Sequence, residues 1–235
     1  MESKITFVSL GPGDPELVTL KGFKTLQNSD VILCPSTISK GGCEVSRAED
    51  IVVSIGIDIS KVRRFIVPMS RDREQTLRLY REVAKLAVDI ASSGQSVAIT
   101  AEGDAGFYSS AQYINDYIEE MGVSTERISG VPAFIDCARL AHTPLVSGDS
   151  SVEIIAFVDS AESLLQRIEE RKSIVLMKIS QREQIIKDAI RSAEGCKIYY
   201  IESCGVEGVE SIITDREEIL GRKFPYFAII IFKPC

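Results

Sequence analysis

The sequence predicts an α/β protein of two domains, with a mostly parallel N-terminal sheet and a mixed C-terminal sheet. Three observations carry this. Apolar runs rich in β-formers alternate with helical patterns through the first half, as in an open parallel sheet. The run Val97-Ala98-Ile99-Thr100-Ala101 stops at Glu102-Gly103-Asp104, and a helical spacing follows (Phe107, Tyr108, Ala111, Tyr113, Ile114, Tyr117, Ile118). In the second half the strand runs are separated by too little helix to be all parallel. We place the domains at residues 1–120 and 121–235, joined near 119–127.

Ile5-Thr-Phe-Val-Ser-Leu10 reads as a buried strand. The turn Gly11-Pro12-Gly13-Asp14-Pro15-Glu16-Leu17 and a helix from Thr19 to Leu26 follow. Val31 to Cys34 is a second strand, ended by Pro35. Ser36 to Arg47, with Gly41-Gly42, is a polar loop at the same edge. Period does not decide between helix and strand for Ala48 to Ile59. Arg63 to Met69 is a strand leading into Ser70-Arg71-Asp72-Arg73. Glu74 to Ser92 is an amphipathic helix with Leu77, Tyr80, Val83, Ala84, Ala87 and Ile90 on one stripe. The Phe107 helix ends at Gly122. Ile128 to Phe134 is strand, turn and helix start, the helix including Ala138 and Leu140. A polar bridge, Ser147 to Ser151, then precedes a strand (Val152–Val158), a helix (Ala161–Glu170), a strand (Ser173–Met177) and a helix (Arg182–Ala193). Strands at Cys196–Ile201, around Ser211-Ile-Ile-Thr and at Phe227–Phe232 complete the chain.

Composition narrows the function classes. With 235 residues and 45% hydrophobic content the chain can bury a substantial core. No apolar run approaches 18 residues, so no membrane-spanning helix is expected. The opening Met1-Glu-Ser-Lys-Ile5 leads directly into a strand, without a basic segment and apolar stretch of a leader, and the expected location is the cytoplasm. A net charge of −7 opposes a broad nucleic-acid face. Six cysteines form no CxxC pair and the single histidine, His142, precedes a proline. Zinc-ligand spacing and a Ser-His-Asp hydrolase set are therefore excluded, no metal is called for, and reduced structural thiols are expected.

Two loops stand at strand tips, where an open α/β sheet meets its ligand. Gly103 and Gly106 permit close backbone approach, and Asp104 offers a carboxylate that can cap a helix or bind a ribose diol. The first loop does not satisfy GxGxxG, because Glu16 stands at the third glycine position. Pro12 and Pro15 also remove two amides that would hold a pyrophosphate. That loop is suited to packing against something flat or uncharged.

Gly11-Pro12-Gly13-Asp14-Pro15-Glu16-Leu17-x-Thr19-Leu20-Lys21, together with Glu102-Gly103-Asp104-x-x-x-Tyr108, resembles the tetrapyrrole (corrin/porphyrin) methylase family. The resemblance runs in order over nearly the whole chain. Pro35-Ser36, Ser46-Arg47-Ala48-x-Asp50-Ile51 and Val67-Pro68-Met69-Ser70-Arg71-Asp72-Arg73-Glu74 are most similar to the branch that methylates C20 of precorrin-2 or its cobalt form. It implies S-adenosylmethionine as cofactor, S-adenosylhomocysteine as product, a cofactor cleft between two α/β domains, a homodimer, and a role in corrin-ring (cobalamin) biosynthesis.

Carried over by position, the resemblance implies cofactor contacts at Pro12, Glu102, Gly103, Asp104, Phe107, Pro132, Ala133, Met177 and Cys204. The tetrapyrrole is a polycarboxylate, for which Arg71, Arg73, Arg47 and Lys40 on the polar loop, and Lys178 beside the cofactor strand are candidate partners, with Tyr108 beside the central turn. No catalytic base is identified. The chain departs from the family at Ala105 and Ser129, where prolines are usual, and at Pro132, where a serine or threonine is common. Ala105 is expected to loosen the central turn. Alternatives are a family member with another acceptor, and a cofactor-binding module with weakened catalysis.

Overall fold

A computed structural model describes residues 5–39, 41–68 and 73–235. The chain divides into two compact units, Met1–Pro132 and Ala133–Cys235. In the first unit the elements are β1 (Ile5–Ser9), α1 (Leu20–Asn28), β2 (Val31–Ile38), β3 (Glu44–Val45), α2 (Arg47–Ser54), β4 (Val62–Ile66), α3 (Arg73–Ser92), β5 (Val97–Ala101), α4 (Ala111–Glu120) and β6 (Glu126–Ile128). The main strands run in the order β4-β2-β5-β1-β6, all neighbours parallel, with short β3 antiparallel to the end of β2.

The two faces of this sheet are covered by different helices, because successive strand residues point to opposite sides. Ile5 and Phe7 of β1 pack with Val83, Ala84 and Ala87 of α3 and Ile114 and Ile118 of α4. Val8 packs with Leu26 of α1 and Ile51 and Val52 of α2 on the other side. β6 pairs with β1, so residues 126–128, which reach into the stretch expected to join the halves, belong to the first sheet.

Three local readings are corrected and one left open is decided. β2 does not end at Pro35 but runs on to Ile38, pairing Pro35 with Phe65 of β4. Proline has no amide to donate, and it is accommodated where β2 has passed the end of its β5 ladder, Val31–Leu33. The polar loop beyond is a hairpin turn, with the Ser39 amide on the Cys43 carbonyl at 2.8 Å and Ser36 Oγ on Glu44 Oε1 at 2.7 Å. The segment undecided by period contains α2. Ser46 Oγ accepts the Glu49 amide at 3.1 Å, so Ser46-x-x-Glu49 starts a helix through the serine of a capping-box sequence. Residues 107–110 are non-helical, and α4 begins only at Ala111.

The second unit contains α5 (Ala133–Leu140), β7 (Val152–Ile155), α6 (Ala161–Glu169), β8 (Ser173–Leu176), α7 (Glu183–Ser192), β9 (Cys196–Glu202), β10 (Ser211–Ile213), α8 (Arg216–Gly221) and β11 (Ala228–Pro234). Its sheet order is β10-β9-β11-β8-β7. Only β7 and β8 pair in parallel, which makes the sheet mixed. Its core gathers Leu164, Ile174, Leu176, Ile186, Ile190, Tyr200, Ile230 and Phe232. The short α8 was not anticipated; Asp215 accepts the Glu218 amide at 2.9 Å and starts it.

Candidate cofactor and substrate site

The strand order places a switch point between β5 and β1. The chain leaves β1 toward β2 on one side, and leaves β5 toward β6 on the other. Loops diverging from neighbouring strand tips make the ligand-binding crevice of open α/β sheets. Here they are tied to each other before they diverge. The Leu10 amide donates to the Ala101 carbonyl at 2.8 Å, and Gly11 and Gly103 exchange two backbone hydrogen bonds at 3.1 and 2.7 Å. Both glycines have positive φ, 79° and 68°.

A third loop closes on these two. A Cβ on Gly130 would lie 2.6 Å from Ser9 Cβ and 2.8 Å from the Gly103 carbonyl oxygen, so only hydrogen fits. Asp104 fastens the knot: Oδ2 accepts the Gly130 amide and Oδ1 the Gly106 amide, each at 2.8 Å. The Asp104 carboxylate therefore caps no helix. It joins the loops after β5 and β6, and each oxygen retains acceptor capacity for a ligand hydroxyl. Ser9 Oγ accepts the Ala105 amide at 2.8 Å. This corrects the reading of Ala105 as a loosening residue, since a proline there would have no N–H for Ser9.

Around this knot stand the other first-unit candidates. The Pro12 carbonyl accepts Arg47 Nη2 at 3.4 Å. Glu102 is half-buried, and burial pushes its carboxyl above the usual range, with Arg47 pulling the other way. Phe107 packs edge-on against Tyr108, with centroids 4.9 Å apart. Tyr108 is 47% exposed and holds a left-handed φ of 48°, an uncommon conformation for a bulky residue. Arg73 begins α3, exposed, with Nη2 3.5 Å from Tyr113 Oη. Arg71 and Lys40 lie outside the described residues. Pro132 is the last residue of this unit, and Ala133 the first of the next.

In the second unit, Ala133 opens α5 and Met177 follows β8, half-buried, its amide on the Ile155 carbonyl at 2.8 Å. Lys178 has φ 55° and Ser203 φ 49°. Cys204 is buried and its thiol donates to Asp136 Oδ2 at 3.2 Å; Asp136 is in turn paired with Arg139. Cys137 beside it, then burial and Asp136, push the Cys204 thiol far up, so it is neutral.

Sequence reasoning missed Ser9, Gly130 as a packing residue, Asp136 and Arg127. Arg127 lies on β6 beside the knot, its Nη1 3.2 Å from where a Gly106 Cβ would stand and its Nη2 on Gln112 Oε1 at 2.7 Å. Ser9 was legible in principle, as a polar residue closing an apolar strand ahead of a glycine turn. Asp136 has no local signal.

The residues suit a nucleoside without phosphate. Pro12 and Pro15 offer no amides, the Asp14 carboxylate is occupied by the Glu16 amide at 2.9 Å, and Glu102 and Asp104 put carboxylates where a pyrophosphate would be repelled and a sulfonium cation favoured. Among the described residues no group of three or more His, Cys, Asp or Glu is placed to hold a metal ion, and no helix is long and apolar enough to cross a membrane.

Comparison with known proteins bears on both units. The chain is 29% identical over 231 residues to the probable cobalt-precorrin-2 C(20)-methyltransferase of Methanocaldococcus jannaschii, covering 98% of this chain and 96% of that one. Its fold matches a cobalt precorrin-4 methyltransferase with a TM-score of 0.70 at 20% identity, covering 97% and 94% of the two chains. It also matches uroporphyrin-III C-methyltransferase from Thermus thermophilus, solved with S-adenosylhomocysteine, with a TM-score of 0.62 at 17% identity over 97% and 96%. The profile of the tetrapyrrole (corrin/porphyrin) methylases matches residues 4–220, and the chain belongs to that family.

Proposed function

We propose that this member of the S-adenosylmethionine-dependent tetrapyrrole C-methyltransferases methylates C20 of precorrin-2 or its cobalt form, a step of corrin-ring biosynthesis. The observation that supports the chemistry is the knot of Gly11, Gly103 and Gly130, which brings backbone and carboxylates to the strand tips without a phosphate cradle. Support for the acceptor carbon comes from the C20-type segments and the relative similar across 98% of the chain.

When bound, the cofactor supplies a methyl group on a sulfonium. In the first unit Pro12, Glu102, Gly103, Asp104, Phe107 and Pro132 hold it, and in the second Ala133, Met177 and Cys204. Gly103 allows close backbone approach, Asp104 offers its spare lone pairs to ribose hydroxyls, and Met177 and Phe107 give apolar walls to adenine. Arg73, Lys178 and Tyr108 orient the tetrapyrrole carboxylates, together with Arg71. Orientation is the main demand of a methyl transfer, with reacting atoms about 3–3.5 Å apart. The enzyme works as a homodimer, which light scattering after size exclusion checks.

Calorimetric titration with S-adenosylhomocysteine, followed by methyl-transfer assays on precorrin-2 and cobalt-precorrin-2, tests this reading. Tight binding with C20 methylation supports it. Binding without turnover on either acceptor points to another acceptor carbon or a weakened module; the Ser9–Ala105 bond removes one of the two reasons for the latter.

A further inference from the structure

The knot engages its carboxylates unequally. Asp104 accepts two backbone amides. Glu49, on α2 nearby in the first unit, is paired with Arg64, whose hydrogen bond holds its carboxyl below the usual range. Glu102 is different: among the described residues no hydrogen bond reaches its carboxyl, and Arg47 is the charged group that acts on it. Arg47 is itself turned to the Pro12 carbonyl at 3.4 Å.

The main chain at Glu102 is also clamped on both sides. The Ala101 carbonyl is taken by Leu10, and both polar groups of Gly103 by Gly11. The residue is thus held at the tip of β5, half-buried, with Arg47 of α2 as the charge acting on its carboxyl. Its tendency to keep a proton comes from burial, with Arg47 opposing. A carboxylate with a structural task is satisfied by donors, as Glu49 is by Arg64 and Asp104 by two amides. One held at a strand tip without a donor is equipped to take up a proton.

We propose that Glu102 is the general base that removes the ring proton displaced by the incoming methyl group. The proposal rests on the C-methylation reading above and adds the group that reading lacks. The balance is direct. The ring carbon forms a C–C bond to the methyl, and the C–S bonding pair stays on the departing sulfur as the neutral thioether. The C–H bond at that carbon then breaks, its electron pair returns to the conjugated ring, and the proton goes to a Glu102 carboxylate oxygen. No metal or further oxidant enters.

Three readouts on the full-length protein test it with Glu102→Gln and Glu102→Asp. Difference ¹³C NMR of glutamate-labelled wild type against Glu102→Gln should show one carboxyl titrating above the ordinary glutamate value of about 4.3. The far-UV circular dichroism and thermal midpoint of Glu102→Gln should match wild type, showing an intact fold, with rates then read at saturating cofactor. Methyl transfer to the tetrapyrrole should fall by about 10²–10⁴-fold at unchanged KM. In wild type the rate is lost as pH falls through the raised pKa, because the base must be ionised; Glu102→Gln lacks that acid limb and Glu102→Asp regains it. A Glu102 signal at or below 4.3 overturns the proposal, as does a Glu102→Gln enzyme within threefold of wild type. A wild type that methylates no tetrapyrrole overturns this and the parent reading together, whereas an active wild type matched by Glu102→Gln overturns only the base.

Discussion

The two units solve the same problem, a sharp chain reversal at strand tips, by different means. In the first, the reversals with positive φ at Gly11 and Gly103 are glycines, and the loops interlock so closely at Gly130 that main chain replaces side chain. In the second, Lys178 and Ser203 take left-handed conformations while keeping their side chains, and the nearby joint is made by Asp136, Arg139 and Cys204. A left-handed L-residue costs roughly 1–2 kcal/mol. Its retention where glycine would serve marks a side chain in use, whereas glycine at a crowded knot marks backbone in use. The glycine knot is therefore intolerant of added atoms, whereas at Lys178 and Ser203 a lost side chain should cost function rather than stability.

The largest expected effect follows from the first half of that contrast. Gly130→Ala should destabilise the protein by about 2–3 kcal/mol, because the new methyl group meets the Gly103 carbonyl and Ser9. Gly221→Ala is the control: an added Cβ there meets nothing within 4 Å and the backbone is helical. It should be neutral or slightly stabilising. Equal denaturation midpoints for the two variants would break the comparison.

Asp104 comes next. Asp104→Ala leaves the Gly106 and Gly130 amides without their acceptor, at a cost of about 1–2 kcal/mol. Asp104→Asn, which keeps one acceptor oxygen, should fall between. S-adenosylhomocysteine affinity, measured by calorimetry, should drop in the same order if the carboxylate that ties the loops also holds the cofactor, as proposed. An affinity unchanged in Asp104→Ala would remove the knot from the binding site.

Much of this architecture was legible before any coordinates. The alternation of apolar runs and helical stripes gave the two α/β halves, and thin spacing between later strands gave the mixed sheet. Failures fell where a local rule was outweighed or overlooked. Pro35 reads as a strand end, yet the parallel partner β4 carries β2 past it. α2 was hidden by an ambiguous period although Ser46-x-x-Glu49 announces it. The position of Asp104 was readable, but not its bond to Gly130, which lies 26 residues away and comes near only through the β1–β6 pairing. Asp136 likewise meets Cys204 across 68 residues. Contacts at such separation leave no pattern in a single sequence.

A smaller effect sharpens the second half of the contrast. Lys178→Gly relieves the left-handed strain at φ 55° and should raise stability by about 0.5–1 kcal/mol after the glycine's own entropic penalty. Lys178→Ala keeps the strain and should not. Both remove the ammonium, so both should raise the tetrapyrrole KM alike if that side chain grips a carboxylate. A stabilised Lys178→Gly with unchanged KM would mean the strain is retained for no ligand.

The smallest effect separates two buried thiols. Cys34, in the first unit, is pushed up to about 12 chiefly by burial. Cys204 is raised chiefly by the neighbouring Cys137 thiol, then by burial and the Asp136 carboxylate. Both should resist a thiol reagent in the native protein, while exposed Cys43 and Cys235 react at once. Asp136→Asn removes one negative neighbour from Cys204 and none from Cys34. The thiolate is the reactive form, so the slow labelling of Cys204 should quicken, by less than tenfold because Cys137 and burial remain. Peptide mapping of the labelled protein reads each site separately. If Cys34 quickens equally, the variant has loosened the whole fold; if Cys204 alone does, the second unit's joint is held by side-chain charge.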